Sequence, residues 1–176
     1  TKNLVNKLEG TNIKLADTRK TTPGLRIFEK YAFKCGGGVN HRMGLYDAAM
    51  IKENHIAWTD NLNNAVKKIR LNSPFTTHII IEAENIEQAK EAVLAGADSV
   101  LLDELSPEII KKNVQELRDL SMNSLKKEVN KNLIIEVSGI NPEEISKYLI
   151  KGIDLISTSS SITKSNWIDL SMRYIN

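Results

Sequence analysis

Residues 78–102 read HIIIEAENIEQAKEAVLAGADSVLL, and this stretch decides the fold. The apolar run His78 to Glu82 is a strand candidate, and Asn85-Ile86-Glu87-Gln88 follows it as a helix start, with Asn as cap and Gln at the third helical position. Apolar residues at three-to-four spacing then predict a helix over Asn85 to Ala95, and Ser99 to Leu102 reads as the next strand. Strand, helix and strand in such close succession are the unit from which parallel sheets are built.

The same alternation extends in both directions. Further strands are predicted at Ile13 to Ala16, Ala48 to Lys52, Leu133 to Val137 and Leu155 to Ser157. Helices are predicted over Asn61 to Leu71, Pro107 to Leu120 and Pro142 to Ile150, and Ser106-Pro107 and Asn141-Pro142 each place a cap before a proline at the first helical position. Ser121 to Asn132, polar and lysine-rich, reads as a surface excursion between helix and strand. The expectation is one α/β domain over residues 1–176: an open or incomplete α/β barrel of about six parallel strands, since 176 residues fall short of the roughly 250 of a complete eight-fold barrel. The polar, helix-like opening from Thr1 to Gly10 is expected to be the middle of a longer protein.

Composition narrows the class. With 41% apolar residues, 26% charged residues and a formal charge of +2, the chain has the balance of an ordinary soluble protein. Its 24 basic residues are dispersed without interleaved aromatics, which argues against nucleic acid as partner. No apolar stretch approaches the roughly 18 residues of a membrane span and no signal peptide is visible, so the expected location is the cytoplasm. The single cysteine, Cys35, can form neither an internal disulfide nor a cysteine metal site, and a packing role is expected for it.

Chemistry collects where polar residues crowd after strands. Asp17 to Arg26, DTRKTTPGLR, follows the first strand with adjacent cations, three threonines and a Pro-Gly turn, and suits an anionic ligand. Gly36-Gly37-Gly38 lacks the spacing and following lysine of a P-loop, but requires the backbone to bend or to approach something closely. His41-Arg42 and Lys52-Glu53-Asn54-His55 add donors; neither histidine has metal-ligand spacing on a helix. Glu82 and Asp103 close strands, with Glu136 just before the end of another. Arg19, Lys20, Arg42 and Lys52 facing Glu82 and Asp103 fit ligands that are strongly anionic yet carry a polyol.

These residues carry a family resemblance. DTRKTTPGLR at 17–26, EKYA at 29–32, the triple glycine, HRMGL at 41–45 and KENH at 52–55 together resemble the signature of quinolinate phosphoribosyltransferases, and looser similarity continues through Glu82, Leu101-Leu102-Asp103, Glu136 to Ile140 and Gly152-Ile153-Asp154. The resemblance implies an open α/β barrel with its site at the carboxyl ends of the strands. It implies transfer of a phosphoribosyl group from phosphoribosyl pyrophosphate to quinolinate with decarboxylation, in NAD biosynthesis. Arg19, Lys20, His41, Arg42 and Lys52 would line the quinolinate side with help from Thr18. Glu82 and Asp103 would face the ribose and, indirectly, its Mg2+. Lys20, Lys52, Glu82 and Asp103 are the catalytic candidates, and Ser138, Gly139, Ser159 and Ser160 match segments that bind the 5′-phosphate. A homodimer or larger homo-oligomer is implied, as is a smaller N-terminal domain not found in this chain.

The sequence departs from the family pattern at Glu104, where asparagine is usual, at Ile140, where a second glycine is usual, and at Ser157 to Ser161, which replaces a glycine loop. Two other readings stay open: a paralogue associated with molybdenum transport that uses another acceptor, and an anion-binding barrel without catalysis.

Overall fold

The computed structural model describes residues 1–58, 61–125, 132–166 and 168–175. Among them, six strands, β1 (Lys14–Ala16), β2 (Ala49–Ile51), β3 (Ile79–Ala83), β4 (Ser99–Asp103), β5 (Ile134–Ser138) and β6 (Leu155–Ser157), form one parallel sheet. The order is β1-β6-β5-β4-β3-β2, so the first two strands in the sequence are the two edges. All six predicted strands are present within a residue or so.

The helices are α1 (Lys2–Asn6), α2 (Arg26–Cys35), α3 (Glu53–Ala57), α4 (Leu62–Asn72), α5 (Ile86–Leu94), α6 (Pro107–Leu125) and α7 (Ser160–Thr163). The cap expected for α5 is made: the Asn85 side chain accepts from the Gln88 N–H at 2.9 Å, and Gln88 reaches back to the Glu84 N–H at 2.8 Å. Three sequence expectations are corrected. Ser121 to Leu125 continue α6 rather than forming an excursion, because Ile110, Val114, Leu117 and Ser121 lie at helical spacing and are all buried, with the small serine extending the apolar stripe; residues 126–131 lie outside the described residues. The helix expected at 142–150 is a 3-10 helix, Pro142–Tyr148, whose three-residue period turns both Ile145 and Tyr148 inward. Cys35 is exposed rather than packed, since α2 buries Lys30 and Phe33 and Cys35 falls on the other side.

Strand alternation divides the core in two. Ile79, Ile81, Ala83, Val100, Leu102, Ile135 and Val137 pack with residues of the surrounding helices such as Ala89, Val93, Ile110 and Leu117. Ala48, Ile80 and Leu101, with Met50 against them, form a smaller cluster on the other face. Two matching clamps fasten the strand entries. Arg70 of α4 pairs with Asp98 at 2.7 Å, and Asp98 also accepts from the Ile79 N–H at 2.7 Å. Arg118 of α6 pairs likewise with Asp154, which accepts from the Ile135 N–H at 2.7 Å. Each carboxylate sits just before a strand and ties it to its neighbour, so the opposite, carboxyl ends are left for loops that bind ligands.

A segment of backbone crosses the open side of the sheet. Val39 bridges Ala16 in parallel, its N–H donating to the Leu15 carbonyl at 2.8 Å, and the chain then travels to β2 at the far edge. The triple glycine serves this crossing: a Cβ at Gly38 would lie 2.1 Å from the buried Phe33 ring, and Gly37 has φ +90°. The close approach anticipated from the sequence is therefore to a ring of α2.

Candidate active site

The pleat puts one row of side chains on the inner face. The register pairs Glu82 with Leu101 and Leu101 with Glu136, and one step on it pairs Asp103 with Ser138. A cavity of about 480 Å³ opens above this row, lined by residues at or after the ends of all six strands, including Thr18, Lys52, Glu82, Asp103, Ser138 and Thr158. Neighbouring strands lie about 4.8 Å apart, so six of them laid flat would separate the edges by roughly 24 Å. One cavity of this size touches both edges because the sheet curls, which is the open barrel expected from the sequence.

Eleven of the twelve residues expected to bind substrate line this cavity: Thr18, Arg19, Lys20, His41, Arg42, Lys52, Glu82, Asp103, Ser138, Gly139 and Ser159. Ser160 does not. Its N–H and hydroxyl both turn to Thr158 Oγ1, at 3.1 and 2.9 Å, and Thr158 takes the place at the wall. Gly36, Gly37 and Gly38 are not part of the wall, nor is His55, whose Nδ1 accepts from the Lys52 N–H at 3.0 Å and so closes the first turn of α3.

The cations arrive from both edges. Arg19 and Lys20 follow β1. Arg42 lies on the crossing segment, with Nη1 donating to the Ala48 carbonyl at 2.8 Å and Nη2 at 3.5 Å from Met50 Sδ. Burial lowers the Arg42 pKa, and the nearby charge of Arg19 lowers it further. Two guanidiniums this close repel each other until an anion joins them. Arg19 also keeps its Nε buried with no hydrogen-bond partner, a donor without an acceptor on the wall of the cavity.

The acidic side is held in place more fully. Lys52 Nζ donates to Glu82 Oε2 at 2.7 Å, and Ser138 Oγ donates to Asp103 Oδ1. Burial raises the Glu82 pKa, the Lys52 ammonium opposes that shift, and Asp103 adds to it. Glu104, the departure from the family pattern, holds φ +55°, and Gly139 packs so closely on it that a Cβ would lie 2.4 Å from Glu104 Cγ. Among the described residues no group of three or more His, Cys, Asp or Glu could hold a metal ion.

His41 is bound on both sides of its ring. The Arg42 N–H donates to Nδ1 at 2.8 Å, which leaves Nε2 to carry the ring proton, and Nε2 lies 3.3 Å from Glu136 Oε2. Glu136 is buried, and its Oε1 has no partner. Sequence reasoning left Glu136, Glu104, Met50, Leu101 and Thr158 off the list of site residues. For three of them the signal was available: Met50, Leu101 and Glu136 stand two residues before Lys52, Asp103 and Ser138, so strand alternation turns each to the same face as a predicted site residue.

Comparison with known proteins agrees with this geometry. The family described as quinolinate phosphoribosyl transferase, C-terminal domain, matches residues 1–173. A probable nicotinate-nucleotide pyrophosphorylase [carboxylating] of Methanothermobacter thermautotrophicus is 40% identical over 98% of this chain and 60% of its own length. One from Bacillus subtilis is 38% identical over 98% of this chain and 56% of its own length. The crystal structure of NadC from Streptococcus pyogenes superposes with a TM-score of 0.82 at 37% identity, covering 98% of this chain and 57% of that one. The chain thus spans rather more than half the length of these relatives. With an ordered signature of cations and carboxylates gathered on one cavity and a family match over nearly every residue, the chain belongs to the quinolinate phosphoribosyl transferase C-terminal domain family.

Proposed function

We propose that the full-length protein transfers the phosphoribosyl group of phosphoribosyl pyrophosphate to quinolinate and releases pyrophosphate and carbon dioxide, giving nicotinate mononucleotide for NAD biosynthesis. The observation that carries this reading is the convergence of Arg19, Lys20, Arg42 and Lys52 on a cavity that also holds Glu82 and Asp103. Quinolinate presents two carboxylates on a small ring, and guanidiniums can grip them in bidentate fashion where an ammonium offers only a point charge.

In the reaction the quinolinate ring nitrogen forms a bond to the anomeric carbon as the bond to pyrophosphate breaks. Lys20 and Lys52 stand by to offset charge on the departing group, and Glu82 and Asp103 accept from ribose hydroxyls. Alkylation makes the ring cationic. The adjacent carboxylate then leaves as carbon dioxide, its bonding electrons pass to the ring, and a proton replaces it on carbon. Arg19 and Arg42 hold the substrate through both steps, and no protein nucleophile is required. Ser138, Gly139 and Ser159, with Thr158, supply hydroxyl and backbone donors for the 5′-phosphate. Glu82 and Asp103 fit a Mg2+ ion carried in by the sugar donor better than one held by the protein alone, since no cluster of three ligands is present among the described residues; bound there, the ion would neutralise pyrophosphate charge.

A homodimer or larger homo-oligomer belongs to this reading, supported by the exposed apolar side chains Ile27, Phe28 and Tyr31 on α2. The test is Mg2+-dependent release of pyrophosphate and carbon dioxide by the full-length protein, with quinolinate and nicotinate compared as acceptors. Turnover of quinolinate and none of nicotinate is the expected result. Turnover of an acceptor with one carboxylate or none would favour a paralogous transferase, and binding without turnover would favour an anion-binding barrel.

A further inference from the structure

The loops that carry Arg19 and Arg42 meet at a buried ion pair that lies behind the cavity wall and is not part of it. Lys30 on α2 and Asp17 at the end of β1 are both fully buried, and Lys30 Nζ donates to Asp17 Oδ1. Lys30 Nζ also donates to the His41 carbonyl at 3.0 Å, and the His41 N–H donates to Asp17 Oδ1 at 2.8 Å. Asn40 closes the ring, its Nδ2 donating to Asp17 Oδ2 at 2.7 Å and to the Lys30 carbonyl at 2.9 Å.

Stability alone does not explain such a pair. Withdrawing an ammonium and a carboxylate from water costs about as much as their attraction returns, and an apolar pair of similar volume commonly serves the core as well. Direction is what an apolar pair would not supply. Asp17 is two residues before Arg19, and His41 is one residue before Arg42; His41 and Asn40 tie the segment crossing towards β2 directly to Asp17, and Lys30 of α2 bonds to both sides. Those two pieces of backbone are at the open side of the sheet, joined by a single bridge between Ala16 and Val39 rather than by a strand ladder, and the bridge stops short of both Arg19 and Arg42. Neither Lys30 nor Asp17 lines the cavity.

We propose that Lys30, paired with Asp17, is a positioning residue that sets the separation of Arg19 and Arg42 and thereby the protein's preference for an aromatic diacid over a monoacid. The proposal rests on the functional reading above, and it predicts that the preference can be lost while the fold survives.

The experiment compares the full-length protein with its Asp17→Leu/Lys30→Met double variant, which keeps the core apolar and neutral, and with Asn40→Ala, which removes two bonds of the ring at the surface. Thermal unfolding, calorimetric binding of quinolinate and of nicotinate, and deuterium exchange over residues 38–44 are read for each. The double variant should stay folded with a lowered melting temperature, since the His41 N–H and carbonyl lose their partners, and it should bind quinolinate at least about tenfold more weakly with little change for nicotinate and exchange faster over 38–44. Asn40→Ala should move in the same direction by a smaller factor, and it decides the matter if the double variant does not fold. A folded variant that keeps the parent's preference for quinolinate and its slow exchange overturns the proposal. If the parent itself fails to bind quinolinate, the functional reading fails, while exchange over 38–44 still decides whether the pair holds the two loops together.

Discussion

Lys52 Nζ lies 2.7 Å from Glu82 Oε2, joining the residue just after β2 to the carboxyl end of its neighbour β3. The pair sets a cation and an anion side by side on the cavity wall. Glu82 is the more buried member, and its carboxyl is pushed above the ordinary glutamate range by burial despite the ammonium beside it.

A dependence of stability on pH follows. A carboxyl whose folded pKa is raised binds its proton more tightly folded than unfolded, so the stability linked to it is complete at low pH and is lost as pH rises through the folded value. The unliganded protein should therefore lose melting temperature from the ordinary glutamate range upward. Glu82→Gln should flatten that slope, and Lys52→Met, which removes the opposing charge, should steepen it. Melting curves recorded across acid to neutral pH check this; equal slopes in all three proteins would refute it.

Arg42 divides its guanidinium between the protein and the cavity, with Nη1 committed to the Ala48 carbonyl. Lysine offers no planar fork to serve both. Arg42→Lys is expected to weaken quinolinate binding at least tenfold, about 1.4 kcal/mol, and to lower stability by about 1 kcal/mol through the lost bond. Calorimetric titration and denaturant unfolding measure the two effects separately.

Glu104 occupies the left-handed region at φ +55°, which costs a side chain other than glycine or asparagine roughly 1 kcal/mol. Glu104→Asn should raise unfolding stability by up to about that amount. Gly139→Ala should do the reverse, since the new Cβ would meet the Glu104 backbone nitrogen at 2.9 Å in a residue whose φ is +71°. A loss of about 1–3 kcal/mol is expected, together with weaker binding of phosphoribosyl pyrophosphate. An alanine variant as stable as the parent would show that the turn adjusts freely.

Asn85 offers a control away from the cavity wall. Its side chain caps α5 through the Gln88 N–H, and Asn85→Ala should cost about 1 kcal/mol of stability. Quinolinate affinity should be unchanged. A matching loss of affinity would mean that α5 is coupled to the site.

How far the sequence could be read differs from one element to the next. The strands from Ile79 to Ser138 and the capped helix α5 were legible because their signals, apolar runs and an Asn with Gln three residues later, sit within a few positions of one another. Helix α2 was not. It exposes Ile27, Phe28 and Tyr31 and buries Lys30, the reverse of what an amphipathic pattern leads one to expect, because the partner that makes a buried lysine tolerable is Asp17, thirteen residues earlier at the end of a strand. Glu136 was half legible: its place beside Ser138 in the pleat was plain, but its contact with His41 depends on a segment that crosses the open side of the sheet.

By itself the sequence determined the order of the six strands and of helices α4, α5 and α6 between them, the caps that start α5 and α6, and the set of charged residues that follow strand ends, since each of these depends on neighbours along the chain. Only the tertiary structure decided that β1 and β2 would be the two edges, that the sheet would curl until Arg19 and Lys52 share one cavity, and that Ser160 would turn from it while Thr158 faces in. The physical reason is that alternation and capping act over two to four residues, whereas register, curl and the pairing of a buried charge are settled between groups far apart in sequence, which meet only when the whole sheet has closed around them.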